Sequence, residues 1–197
     1  MAVDIRPAEQ RDALALAALL DISGGGLPAH VWSERAAGQC SLFEVARSHA
    51  MREDQEAGFS YRHATVATFE EEVVAMILGY RQPNRFDPAE IEAAPAPLRP
   101  VLELVQQAPG SFYLHALAVF PDFRRQKIGD LMLDYAEKRA WRDGATSISL
   151  VVSSENQAGV RLYEGKGYAA GERRPVLPYA GMVHGGDWVL YMKNVSG

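Results

Sequence analysis

Cysteine is almost missing from this chain of 197 residues: Cys40 is the one thiol. An intrachain disulfide is excluded, and a reducing compartment, the cytoplasm, is the expected location. Long apolar runs are missing too. Ala13 to Leu20, ALALAALL, falls far short of the roughly 20 residues that a membrane span needs. The start, MAVDIRPAEQ, places Asp4 and Glu9 where a secretory leader would be apolar. No membrane partner is expected. Positive charge is not in excess either. Twenty Lys and Arg against 25 Asp and Glu leave a net charge of -5, which disfavours nucleic acid and is compatible with a cationic substrate. Two phosphate-binding signatures are also absent. No G-x-x-x-x-G-K-[ST] occurs, so a mononucleotide P-loop is disfavoured, and no G-x-G-x-x-G follows the first strand, so a Rossmann dinucleotide site is too. No metal site is expected.

What is present suits one domain with a proper core: 48% of the residues are hydrophobic. Alternation predicts a first strand at Val3 to Arg6. A helix follows from Glu9 to about Ile22, with Leu16, Leu19 and Leu20 on one face. Gly24, Gly25 and Gly26 end it and read as a flexible joint. Pro28 opens a second helix. Ser41 and Glu44 form a capping-box pattern for a third. Tyr61 to Phe69 and Glu72 to Gln82 read as an antiparallel hairpin turning at Glu70 and Glu71. Residues 83–109 carry six prolines (Pro83, Pro88, Pro95, Pro97, Pro100, Pro109). A partly mobile connection or a lid is expected there, with a short helix near Leu98 to Gln107. The remainder reads as strand (Ser111 to Phe120), helix (Gly129 to Asp143), strand (from Ser147), helix (Asn156 to about Gly165) and two strands (Tyr168 to Val176, Asp187 to Val195). The last, with WVLYMK, is a candidate to pair with the edge of another subunit.

One stretch calls for a ligand. In ALAVFPDFRRQKIGDLM an apolar strand stops at Pro121. Arg124, Arg125, Gln126 and Lys127 then crowd the start of a helix. Helix N-termini expose unpaired amides and the positive end of a dipole, so they attract anions. Basic side chains there work against the dipole, which makes a merely solvated helix start a poor explanation. Amides from Gln126 to Asp130 can converge on phosphate oxygens, with charge-assisted bonds from arginine and lysine. Gly129 removes a Cβ from the approach.

The same residues resemble the [RQ]-x-x-G-x-[GA] signature of the GNAT superfamily, the acetyl-CoA-dependent N-acetyltransferases. The chain reads Arg124-Arg125-Gln126-Lys127-Ile128-Gly129, with Lys127 where the first glycine is usual. Downstream, NQAGVRLYEGKGY (Asn156 to Tyr168) resembles the family's N-x-x-A-x-x-L-Y-x-x-x-G-[FY] segment. LHALAV resembles the matching strand of arylalkylamine N-acetyltransferases. The resemblance covers about Ser111 to Tyr168 and implies a mixed α/β (α+β) fold, a mostly antiparallel sheet of about seven strands flanked by helices.

It also implies roles. Leu117, Ala118 and Val119 would offer backbone groups to the pantetheine arm of acetyl-CoA. Arg124, Arg125, Gln126, Lys127, Ile128, Gly129 and Asp130 would hold its pyrophosphate. Asn156 would bond the arm, although asparagine is equally suited to cap the following helix. Tyr163 would protonate the leaving thiolate, since a phenol with a pKa near 10 stays protonated at neutral pH. His115 is the candidate base, because histidine titrates nearest pH 7. Strand alternation puts it on the face of Tyr113 and Leu117. Tyr113 stands where that subgroup has a second histidine, so a two-histidine relay on this strand is unavailable. Each tyrosine and histidine has a plainer reading as a packed core residue.

The function so implied is transfer of the acetyl group to a primary amine of a small molecule, by direct attack in a ternary complex. Peptide or protein N-terminal acetylation, and a CoA-binding sensor without turnover, are the alternatives. Trp32, Tyr61, Tyr80, the glycine joint and the proline segment would border the acceptor, where cation–π contact suits an amine. His184 faces either the acceptor cleft or solvent. A homodimer is a further implication of the resemblance.

Overall fold

The computed structural model describes residues 2–36 and 60–195. Cys40, Ser41, Glu44 and the helix expected from Ser41 lie outside the described residues. The strands are β1 (Asp4–Pro7), β2 (Ala64–Phe69), β3 (Glu72–Arg81), β4 (Phe112–Val119), β5 (Ser147–Ser153), β6 (Ala169–Pro175) and β7 (Asp187–Asn194). The helices are α1 (Ala13–Ser23), α2 (Leu27–Ala36), α3 (Pro88–Ala93), α4 (Arg99–Val105), α5 (Ile128–Arg142) and α6 (Gln157–Gly165). One seven-stranded sheet runs in the order β1-β2-β3-β4-β5-β7-β6. Its β4–β5 pair is parallel, while β1–β2, β2–β3, β5–β7 and β6–β7 are antiparallel. This is the mixed, mostly antiparallel α/β fold that the sequence predicts.

Three expectations need correction. The last strand is not an edge: β7 lies between β5 and β6. Four consecutive buried residues, Trp188, Val189, Leu190 and Tyr191, explain why, since both faces of the strand are covered. The outer strand on that side is β6, whose residues are mostly exposed. Tyr61 to His63 form a 3-10 turn rather than the start of a strand. Ser60 Oγ accepts from the Arg62 amide at 3.3 Å and caps that turn, a local bond that competes with the ladder. Finally, the proline segment holds a helix the sequence reading missed. Asp87 Oδ1 accepts from Ala89 N at 2.9 Å, and Pro88 begins α3, the position a helix accepts proline most readily.

The chain divides into two compact units, Met1–Tyr80 with His115–Ala136, and Arg81–Leu114 with Glu137–Gly197. In the first, α1 and α2 set Leu16, Leu19, Leu20 and Trp32 against Val66, Met76, Leu78, Ala116 and Ala118 of the sheet. Burying each such side chain is worth roughly 1.5–3 kcal/mol. The entry to α1 is fixed by Asp12. It takes a two-pronged bond from Arg6, at 2.7 and 2.9 Å, and a third from Glu9 N at 2.7 Å. Burial pushes the Asp12 carboxyl up, but these donors outweigh it and hold the pKa below its ordinary value.

At the far end of α1 the glycine run is a tight, hydrogen-bonded turn. Gly24 N–H donates to Leu20 O at 2.9 Å, and Gly26 N–H to Asp21 O at 3.1 Å. Asp21 Oδ1 accepts from Ala29 N at 2.9 Å, tying α2 to the same turn. A Cβ on Gly24 would lie 2.4 Å from Pro28 Cδ. Gly25 and Gly26 have φ of 60° and 89°, which suit glycine alone without strain.

In the second unit α4 packs across β5, β6 and β7, with Leu104 and Val105 buried. Arg174 Nε donates to Glu103 Oε2 at 2.9 Å. The second half of the proline segment is thus fastened to the sheet, and residues 83–98 remain for the lid reading.

Candidate active site

Both units carry candidate residues. In the second unit, the β4–β5 ladder consists of two pairs, Phe112↔Ile148 and Tyr113↔Ser149. It then stops, although β4 continues to Val119 and β5 to Ser153. Past Tyr113, β4 has no ladder partner in β5. Leu117 and Val119 are half-buried and Ala118 is buried, so these side chains pack although their backbone does not continue the ladder.

Beyond β4, in the first unit, Pro121–Phe123 form a 3-10 turn and α5 begins at Ile128. Arg125 and Lys127 have φ of 60° and 62°. A non-glycine residue in the left-handed region is uncommon, and such strain concentrates where ligands are held. Alternation of this kind turns successive N–H groups to one side and makes an anion-binding concavity. Leu131 N–H donates to Lys127 O at 3.1 Å, which starts the helix and leaves the earlier amides without helical partners. Arg124 Nε donates to Val119 O at 3.1 Å, fixing that guanidinium beside the strand end. Arg124, Arg125, Gln126 and Lys127 are exposed, whereas Ile128 is buried and anchors α5. Among the described residues, the Arg125 and Lys127 side chains have no carboxylate partner. The loop thus presents exposed cations beside amides that the helix does not use.

His115 lies on β4 in the first unit, in a short series of rings. Tyr80 stands 6.2 Å from it centroid to centroid, and His63 stands 5.4 Å from Tyr80. A second histidine, His63, thus stands in this series on the turn before β2, in a place no spacing rule reveals. Protein crowds the His115 imidazole and pulls its pKa down to about 4. Its side chain is still reached by solvent, which tempers that pull, so the direction is what matters: the ring is neutral at pH 7. Burial also pushes Tyr80 up to about 12. Of the other aromatics expected near the acceptor, Trp32 is buried in the core. The Tyr61 ring is already covered by the Arg62 guanidinium at 5.4 Å. Tyr80 is the one that stands beside the candidate base.

In the second unit, Asn156 precedes α6 and caps it. Its Oδ1 accepts from Gly159 N at 3.0 Å, so the helix uses the oxygen and leaves the Nδ2 hydrogens for another acceptor. Tyr163 follows two turns later and is buried. Its ring is held between Tyr168, at 5.7 Å, and Tyr191, at 6.4 Å. Tyr191 is oriented in turn by donating to Glu164 Oε1 at 2.9 Å. Burial pushes Tyr163 up to about 12, so it remains a protonated donor over the whole physiological range. His184 lies in the β6–β7 connection and is half-buried.

A further contact was not foreseen. Leu117 N–H, on the open stretch of β4, donates to Ser23 Oγ at 3.2 Å. The run Ser-Gly-Gly-Gly signals a turn, but nothing in it tells which strand the serine meets.

Comparison with known proteins completes the picture. Residues 32–168 match the acetyltransferase (GNAT) family. A search of curated proteins finds no significant match. Among solved structures, the polyamine N-acetyltransferase of Drosophila melanogaster, which forms N-acetylagmatine, superposes with a TM-score of 0.66 at 15% identity, covering 98% of this chain and 100% of that one. The PaiA N-acetyltransferase of Thermoplasma acidophilum in complex with coenzyme A gives 0.58 at 17%, covering 98% and 99%. The NatC complex bound to Gag peptide and CoA gives 0.60 at 17%, covering 100% of each chain. At these identities the likeness speaks for the fold, while the family match extends over most of the chain. The chain belongs to the GNAT acetyltransferase family, and is an acyltransferase that uses acetyl-CoA.

Proposed function

We propose that this enzyme moves the acetyl group of acetyl-CoA to a primary amine of a small molecule, by direct attack, with residues 1–197 acting as one catalytic domain. The observation that carries the reading is the loop after β4. Two non-glycine residues, Arg125 and Lys127, are held left-handed there, beside a strand whose ladder has stopped. That pairing of an anion concavity with an open strand edge suits a pyrophosphate joined to an extended amide arm.

In this reading the amides around Gln126 to Asp130, with Arg124, Arg125 and Lys127, hold the pyrophosphate, and Ile128 and Gly129 keep the helix start close to it. Leu117, Ala118 and Val119 pair with the pantetheine arm, and Asn156 Nδ2 donates to it. His115, neutral at pH 7, takes the proton that the amine must lose. Holding amine and thioester together supplies the entropy of the bimolecular step. The amine attacks the carbonyl carbon, and the oxygen of the tetrahedral intermediate is met by the Leu117 amide. The C–S bond then breaks and Tyr163 gives its proton to the sulfur. A cationic acceptor is favoured by the acidic balance of the chain and by the Tyr80 ring beside His115. A homodimer is compatible with this reading, and the exposed strand β6 is the sheet edge open to one.

The test is CoA-thiol release from acetyl-CoA with a panel of polyamines, amino acids and short peptides. Release with a small amine, lowered roughly 100-fold in Tyr163→Phe, is expected. Release with peptides alone would replace the small-molecule acceptor by a peptide N-terminus. Full activity of the variant would remove Tyr163 as the acid.

A further inference from the structure

Ser23 is absent from every expectation drawn from the sequence, and its position is nevertheless narrowly fixed. It is the last residue of α1. The turn that follows is pinned by Gly24 against Pro28, by backbone bonds to Leu20 and Asp21, and by the Asp21 side chain on α2. Its hydroxyl therefore stands on a rigid support. It accepts from Leu117 N–H at 3.2 Å, an amide on the stretch of β4 past the end of the ladder. A hydroxyl carries one proton and two lone pairs. Among the described residues, that proton has no acceptor.

We infer that Ser23 is a second hydrogen-bond donor to the thioester oxygen of acetyl-CoA, beside the Leu117 amide, an inference that rests on the acetyl-CoA reading of β4. Without the substrate, Ser23 Oγ satisfies an amide that would otherwise be left unbonded at a cost to the fold. When the thioester arrives, its oxygen takes over the Leu117 N–H. A rotation about the serine Cα–Cβ bond then points the hydroxyl proton at the same oxygen. No bond to Ser23 is made or broken. As the amine attacks, the oxygen becomes negative and both donors bind it more strongly than they bound the ground state, which is the condition for acceleration. Serine suits this dual task because it can accept in one state and donate in the other, whereas alanine can do neither.

The experiment uses acetyl-CoA labelled with 13C at its carbonyl, and infrared difference spectra of the full-length protein, so that no acceptor need be known. Wild type should move the carbonyl band to lower wavenumber relative to free acetyl-CoA. Ser23→Thr, which keeps the hydroxyl, should retain the shift. Ser23→Ala should bind acetyl-CoA and lose about half of it, one of two donors having gone. An unchanged band in Ser23→Ala would overturn the inference alone. A variant that binds neither CoA nor acetyl-CoA would assign Ser23 to the fold and overturn it as well. Failure of wild type to bind acetyl-CoA would instead overturn the acetyl-CoA reading, and this inference with it.

Discussion

Lys127 shows how much a single backbone angle can say. Its φ of 62° is one that glycine adopts freely and a side chain with a Cβ does not. The sequence marks the residue as a departure from the family pattern, and the structure shows that the departure changes the residue and keeps the conformation. Lys127→Gly should therefore stabilise the fold by roughly 0.5–1 kcal/mol, the relieved strain exceeding the added freedom of the unfolded chain. Urea unfolding measures it. The same variant keeps the backbone N–H, so CoA titration should show a loss of affinity below tenfold that shrinks at higher salt, because only an exposed charge has gone. Arg125, also left-handed, could not have been read from the sequence, since nothing in arginine's chemistry favours that region. Ser23 and His63 escaped for another reason: each meets its partner only through long-range packing, which leaves no local spacing to detect.

At the scale of elements, sequence patterns served best where one residue dictates the local backbone. Gly144, with φ of 73°, ends α5 where the sequence predicts the helix to stop, and Asn156 caps α6 through its side-chain oxygen. They served least where a local pattern is shared by two outcomes. WVLYMK reads the same for an outer and an inner strand, and only the position of β6 makes it inner. The glycine run reads as a hinge by composition, yet it forms the clamp on which Ser23 stands. Gly24→Ala tests the clamp. The new Cβ would lie 2.4 Å from Pro28 Cδ, and relieving that overlap by shifting α1 against α2 should cost about 1–3 kcal/mol. A thermal midpoint unchanged from wild type would show that the turn yields freely.

For the molecule as a whole, composition and two motifs were enough to predict the fold class, the family and the co-substrate. They do not reach the acceptor, because outside Ser111 to Tyr168 the sequence offers only a general layout and no motif that names one. One global property does follow from a local site. His115 is held at about 4, below its ordinary 6.5. Between these values the unfolded chain binds the proton and the folded chain does not, so the contribution to stability is complete above about 6.5 and is lost as pH falls toward 4. His115→Gln should flatten the pH dependence of the urea midpoint across that window, relative to wild type. Parallel curves would show that the imidazole titrates in the folded state as it does in the unfolded one.

The β4–β5 ladder ends after Tyr113 and Ser149, and this has a bearing on solubility. A strand inside a sheet whose ladder stops part-way presents, on that side, a row like that of an outer strand. Elsewhere proteins blunt such rows with charge or proline; LHALAV carries neither on Leu114 to Val119 apart from one neutral imidazole. In the proposed complex the extended arm of the co-substrate would cover that row for as long as it stays bound. Acetyl-CoA would then act as a chaperone of the fold as well as a reagent, and a preparation stripped of it would be the form most prone to aggregate.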